Sequence, residues 1–325
     1  MIDKDNKKTI ENQLQEAEDK LKKLSPFITK SAQQFVDEFK NHPDLQKLFG
    51  TFWLTGELTI LAGDTGIGKS LIAAQLLSSI TNKEPYFLGQ EITYQRKAIY
   101  FDFELSDYQF AKRYKKHKFH SSFIRSRFNY DYEGSEIFSI RHIREKIIEE
   151  KAEIVIIDNI SATTLRPTQE TDVALELMRE LKKLTREGIS CLVIAHTPKF
   201  SNITSLEINH MAGSKVLANF SDSVFFIHRS KENFNYRYLK QVKARNAEQL
   251  EDVIVCRIEE KDGFLGFEYV KHDDEQNHVS NTKPKDPEEL KQEIQSLSSE
   301  GKSIREIAKI LGISKSKVHR YLNSN

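Results

Sequence analysis

Leu58-Thr59-Ile60-Leu61-Ala62-Gly63-Asp64-Thr65-Gly66-Ile67-Gly68-Lys69-Ser70 decides how this chain reads. A strand-length apolar run feeds into G-x-x-x-x-G-K-[ST], and a helical pattern continues from Lys69 to Ile80. Glycines allow the tight turn that aims successive backbone N–H groups at one anion. The start of the following helix adds a favourable dipole. Gly63, Asp64, Thr65, Gly66, Ile67, Gly68, Lys69 and Ser70 are therefore expected to cradle the phosphates of ATP. Lys69 would reach the β- and γ-phosphates, and the Ser70 hydroxyl would bind Mg²⁺.

Outward from this motif, strand and helix patterns alternate. Ala98 to Phe103, Glu153 to Ile157, Ser190 to Ala195 and Ser223 to His228 read as strands. Asp107 to Lys118, Ile137 to Lys151, Asp172 to Arg186 and Met211 to Phe220 read as helices between them. This order predicts an α/β fold, a mainly parallel sheet flanked by helices. Tyr236 to Lys243, Val253 to Glu259 and Phe264 to Tyr269 alternate without helices and suit antiparallel edge strands, with Asp262-Gly263 as a turn. The expected domains are a helical segment over 1–45, the ATPase domain over 46–270, a polar linker over 271–287 and a small all-α unit over 288–325. In the first, Ile10, Leu14, Ala17, Leu21 and Leu24 share one helical face, and Ser31 to Phe39 predicts a second helix.

Composition narrows the classes. The chain has 325 residues, 38% hydrophobic and 30% charged, with a formal net charge of +1. That is ordinary for a globular protein and gives no overall field for nucleic acid. The charged N-terminus is not a secretory signal, and no apolar run is long enough for a membrane span. Cys191 and Cys256, the only cysteines, sit in apolar strand patterns as buried thiols and cannot frame a zinc site or disulfide scaffold. The expected location is cytoplasmic, without a membrane partner.

Three further strand tips carry polar groups. Asp158 ends Ile154-Val155-Ile156-Ile157, where ligands bind in open α/β sheets, and would hold Mg²⁺ together with Ser70. Glu104 ends Ile99-Tyr100-Phe101-Asp102-Phe103 and is the candidate base that orients the attacking water; Asp102 competes for that role. His196 follows Ala195 as a candidate sensor of the γ-phosphate.

Taken together, these residues resemble the RecA-like ATPases, most closely the RepA-type hexameric helicase branch. The resemblance covers Leu48 to Val270. It implies that Glu104, in Tyr100-Phe101-Asp102-Phe103-Glu104-Leu105-Ser106, is the catalytic glutamate, Asp158 the Walker B acid and His196 the sensor. Ala212-Gly213-Ser214-Lys215 followed by Asp222 is similar to the segment before the family's penultimate strand. Lys243 and Arg245, in Lys243-Ala244-Arg245-Asn246, are similar to the cations that enter a neighbour's ATP site. A homo-oligomer, with a hexamer favoured, follows from the resemblance alone. So does the placing of the loops Ser161 to Thr171 and Pro198 to His210 in a central channel, where Arg166, Lys199 and Phe200 could meet single-stranded DNA.

Residues Ser303 to Leu322 resemble a helix-turn-helix of the resolvase-tail type. Ile304, Ile307, Ala308, Ile313, Val318 and Leu322 supply its apolar positions, Gly312 its turn and Ser314 a helix cap. Lys315, Ser316, Lys317, His319 and Arg320 are the expected duplex DNA contacts. Lys112 to Arg127, basic with Tyr114, Phe119 and Phe123 interleaved, reads as a surface helix rather than a single-strand track. Two functions follow: an ATP-hydrolysing, DNA-associated motor of plasmid or mobile-element replication or transfer, or an ATP-switched DNA-binding regulator or loader.

Overall fold

The computed structural model describes residues 27–132, 140–159, 171–197, 205–211, 215–279, 287–311, 313 and 315–323. Residues 1–44 and 45–325 form two compact units. In the first, α1 (Ala32–Phe39) begins at a capping box. The Ser31 hydroxyl accepts from the Gln34 N–H at 3.2 Å, and the Gln34 side chain accepts from the Ser31 N–H at 2.9 Å. The helix expected over residues 7–24 lies outside the described residues.

The second unit starts with a small hairpin, β1 (Lys47–Phe49) and β2 (Trp53–Leu54), then β3 (Leu58–Gly63) and α2 (Lys69–Thr81). A second hairpin, β4 (Tyr86–Phe87) and β5 (Gln90–Glu91), precedes β6 (Ala98–Asp102), α3 (Asp107–Arg113) and β7 (Phe123–Ser126). Next come α4 (Ile140–Glu150), β8 (Ile154–Asp158), α5 (Thr171–Arg186), β9 (Ser190–His196), α6 (Lys215–Phe220) and β10 (Ser223–Arg229). The edge strands are β11 (Tyr236–Ala244), β12 (Val253–Lys261) and β13 (Phe264–Asp273). Strands β3 and β6 to β13 form one sheet in the order β13-β12-β11-β10-β3-β9-β8-β6-β7. From β10 to β7 all neighbours are parallel, whereas β11, β12 and β13 are antiparallel. This is the mainly parallel architecture that the alternation predicts.

Side chains along each strand alternate between two cores. Ile60 and Ala62 join Val193 and Met178 on one face, while Leu61 joins Ile72 and Ile194 on the other. Covering both faces is what makes the parallel strands read as continuous apolar runs. Strand β3 lies in the middle, and β6, the next long strand of the chain, lies beyond β9 and β8. The crossover opens a crevice above the C-terminal strand ends, where an α/β sheet binds its ligand. On the second face, the Gln75 side chain of α2 accepts from the Phe267 N–H at 2.7 Å and donates to its carbonyl at 2.9 Å. The phosphate-loop helix is thereby tied to β13.

One expectation needs correcting. The polar stretch from Lys271 reads as linker, yet β13 runs to Asp273 and α7 (Gln276–Val279) follows. Its charged groups are paired within the fold. Lys271 bridges Glu232 and Asp273 at 2.8 Å each, and Glu275 accepts from the Leu206 N–H at 2.7 Å. Residues 280–286 lie outside the described residues. Helices α8 (Pro287–Ser299), α9 (Ile304–Leu311) and α10 (Lys315–Asn323) close around their own core of Leu290, Ile294, Ile307, Ala308 and Val318.

Candidate active site

The loop between β3 and α2 has the geometry of an anion cradle. Gly66 and Gly68 take positive φ values of 71° and 113°, which side chains disfavour. A Cβ on Gly68 would also lie 2.6 Å from the Phe267 ring. Lys69 is nearly buried and folds back over the loop, donating to the carbonyls of Gly63 and Asp64 at 2.8 Å each. Burial lowers its pKa, opposed by Asp158, Glu104 and Asp64. An ammonium held over this turn fits a polyphosphate.

The C-terminal tips of β6, β8 and β9 converge on the same crevice. Asp158 is 1% exposed. Burial pushes its carboxyl up to about 6, while hydrogen bonds from Ser70 and Tyr100 hold it down. The Tyr100 hydroxyl donates to Asp158 Oδ2 at 2.6 Å. A serine hydroxyl beside a buried carboxylate is a hard oxygen donor set that fits Mg²⁺.

Glu104 and His196 meet directly, with His196 Nε2 3.2 Å from Glu104 Oε1. The other ring nitrogen, Nδ1, lies 3.2 Å from Lys69 Nζ. An ammonium can only donate, so Nδ1 accepts and Nε2–H donates to Glu104. Asn159, next after Asp158, also donates to Glu104. The His196 hydrogen bond is the main cause of a lowered Glu104 pKa, helped by Asn159 and Lys69. Glu104 is thus an ionised, partly exposed carboxylate facing the cradle. Asp102 is differently placed: it is 1% exposed and accepts from Arg125 at 2.9 Å and from the Leu105 N–H at 2.9 Å. It braces the turn that presents Glu104.

Sequence reading misses Tyr100 and Asn159. Asn159 was findable as a polar residue at the same strand tip as Asp158, but Tyr100 carries no local signal in an apolar strand. Lys243 and Arg245 do not join this cluster. Lys243 pairs with Val224 near the start of β10, at the end of the sheet opposite the cradle. Its ammonium donates to the carbonyls of Ala218 and Ser221 at 2.5 and 2.7 Å, and Arg245 donates to Asn219 at 2.7 Å. Burial and then Arg245 lower the Lys243 pKa to about 8.

In the C-terminal unit, Lys315, Ser316, His319 and Arg320 are exposed on α10, and Val318 faces its core. The Ser316 N–H and hydroxyl donate to Glu251 at 3.2 and 3.0 Å. Gly312 and Ser314, the channel residues Arg166, Lys199 and Phe200, and Ala212 to Ser214 lie outside the described residues. Tyr114 is buried, and Phe119 packs against Phe123 with ring centroids 4.8 Å apart, so the basic stretch around them is no open track. Among the described residues no helix is long and apolar enough to cross a membrane.

This sheet order, with a phosphate cradle on its central strand and acids on neighbouring tips, defines a RecA-like P-loop ATPase. Residues 25–202, more than half of the chain, match the family model described as an AAA domain, and the chain belongs to that family. Residues 284–325 match the helix-turn-helix domain of resolvase. The DNA repair protein RadA of Chlamydia pneumoniae is 27% identical over 216 residues, which is 64% of this chain and 41% of that protein. The chain therefore spans less than half the length of this relative.

Proposed function

We propose that this protein is a Mg²⁺-dependent ATP-hydrolysing motor that acts on DNA, a member of the RepA-type helicase branch serving replication or transfer of a plasmid or other mobile element. The observation that carries it is the meeting of Lys69, Glu104, Asp158, Asn159 and His196 above one crevice. The loop from Gly63 to Ser70 holds the phosphates. Ser70 and Asp158 would hold Mg²⁺, which supplies charge neutralisation at the β- and γ-phosphates. Glu104 orients the attacking water and takes its proton. His196 links Lys69 to Glu104, so it stands where the arrival or loss of the γ-phosphate is felt. Lys243 and Arg245 lie too far from their own cradle to act there, which fits action on a neighbouring subunit in a ring.

A second reading has one observation in its favour. The resolvase-type unit has a separate core and an exposed basic helix, which suits a regulator or loader whose ATP state sets assembly. One experiment separates the two. Truncation before Ser280 should leave basal ATP hydrolysis within about twofold and weaken duplex DNA binding at least roughly tenfold, since phosphate contacts dominate affinity. For a motor, single-stranded DNA should still stimulate hydrolysis by the truncated protein. For a regulator, stimulation should vanish with the duplex affinity.

A further inference from the structure

Helix α10 carries the residues expected to meet duplex DNA, and its opening turn is already engaged within the chain. Ser316 is the second residue of the helix, so its N–H is one of the four at a helix start that have no acceptor within the helix. Glu251 Oε2 accepts from that N–H at 3.2 Å and from the Ser316 hydroxyl at 3.0 Å. Arg320 lies one turn further along the same face. Burial raises the carboxyl of Asp252, the residue after Glu251, and the guanidinium of Arg320 acts against that rise. Two successive acids of the ATPase domain therefore stand beside two residues of the helix that would read DNA.

These acids have a firm seat at the end of the loop from β11 to β12. The Gln249 side chain donates to the Gln241 carbonyl at 2.9 Å, and the Leu250 N–H donates to the Gln241 side chain at 3.0 Å. Gln241 itself is buried. Asn246, earlier in the loop, donates to Glu57 at 2.9 Å. A loop pinned at three residues holds Glu251 in place, so release of α10 means breaking the Glu251 contact.

We propose that Glu251 and Asp252 form an autoinhibitory latch, a stand-in for DNA phosphates that holds the reading face of α10 against the ATPase domain until duplex DNA displaces it. A phosphate at a helix start takes the same N–H and hydroxyl donors that Glu251 takes here. The opening turn of such a helix is also the part that enters the major groove. Duplex and Glu251 thus compete for one place. Val318 is buried in the core of the C-terminal unit, so the helix is not free to present its opposite side instead. The closed form lowers the affinity for any duplex by the fraction of chains left open. Carboxylates at an exposed helix end are held only modestly, so that fraction stays appreciable and the latch yields to DNA without a further signal. The inference rests on duplex binding by the C-terminal unit and is independent of ATP hydrolysis.

The test uses the full chain without nucleotide, a labelled random-sequence duplex and fluorescence anisotropy. Glu251→Ala should tighten binding about three- to tenfold. Glu248→Gln removes an equal charge from an exposed residue of the same loop and should change binding less than about twofold. Lys315→Ala combined with Lys317→Ala should weaken binding and reduce the salt slope by about two, which checks separately that α10 is the duplex contact. Without DNA, hydrogen exchange over 315–320 should be faster in Glu251→Ala than in the unaltered chain, because the Ser316 N–H loses its acceptor. Equal tightening in Glu248→Gln, unaltered exchange, or unaltered affinity in Glu251→Ala while the double lysine variant is weakened would overturn the latch alone. Unaltered affinity in the double lysine variant would overturn the reading of α10 as the duplex contact, and the latch with it. A smaller oligomer in Glu251→Ala would make the contact one between two copies and would overturn a latch within one chain.

Discussion

Glu104→Gln should bind ATP with nearly unaltered affinity and hydrolyse it about 10²- to 10⁴-fold more slowly, the usual worth of a positioned general base. The substitution keeps the side chain's shape and its contact with Asn159 but removes the ability to take a proton. Binding is spared because the cradle and Lys69 are untouched. The control is Asp102→Asn. Asp102 is buried against Arg125 and braces the Leu105 N–H, so its loss should cost about 1–3 kcal/mol of stability and slow hydrolysis less. Single-turnover hydrolysis and thermal unfolding of both variants decide the matter. A hydrolytic collapse in Asp102→Asn alone, with the fold intact, would exchange the two roles.

Arg245→Ala should also stop turnover, by roughly 10³-fold or more if its guanidinium reaches a neighbour's γ-phosphate. Among the described residues Arg245 contacts Asn219 and Asp222, which are remote from the cradle. ATP binding should therefore be unaffected, and the defect should be one of assembled protein. Mixing Arg245→Ala with Lys69→Ala protein creates interfaces with an intact cradle on one side and an intact arginine on the other. Provided that subunits exchange, the mixture should regain activity that neither variant has. A fully active Arg245→Ala protein would reduce Lys243 and Arg245 to caps on the carbonyls at the end of α6.

How far the sequence discloses this site depends on how local each signal is. The cradle is a contiguous motif whose glycines and lysine act within one turn, so Gly63 to Ser70 could be placed from spacing alone. Asp158 could be placed because a buried parallel strand is a continuous apolar run and its tip is where the polarity changes. The choice between Glu104 and Asp102 could not be made locally. It turns on Arg125, which belongs to β7 and reaches Asp102 only once the sheet has formed. Tyr100 is hidden for the same reason, since its hydroxyl serves a residue from a strand 58 positions away in sequence. Composition misleads at Lys271 to Val279, where the charged residues belong to the edge strand and a short helix and are paired within the fold. The sheet class was legible throughout, because strand–helix alternation and the helix-free pattern after Tyr236 are both periodicity signals.

The most direct measurement of the central assignment is steady-state phosphate release from Mg²⁺-ATP by the unaltered chain and by Lys69→Ala, paired with equilibrium titration of a fluorescent ATP analogue. Lys69 contributes the only ammonium over the cradle among the described residues, and nothing else there can replace its charge on the β- and γ-phosphates. Phosphate release in Lys69→Ala should fall to background, with nucleotide binding lost or much weakened and the thermal transition still cooperative. Normal turnover in a folded Lys69→Ala protein would contradict the placing of ATP at Gly63 to Ser70.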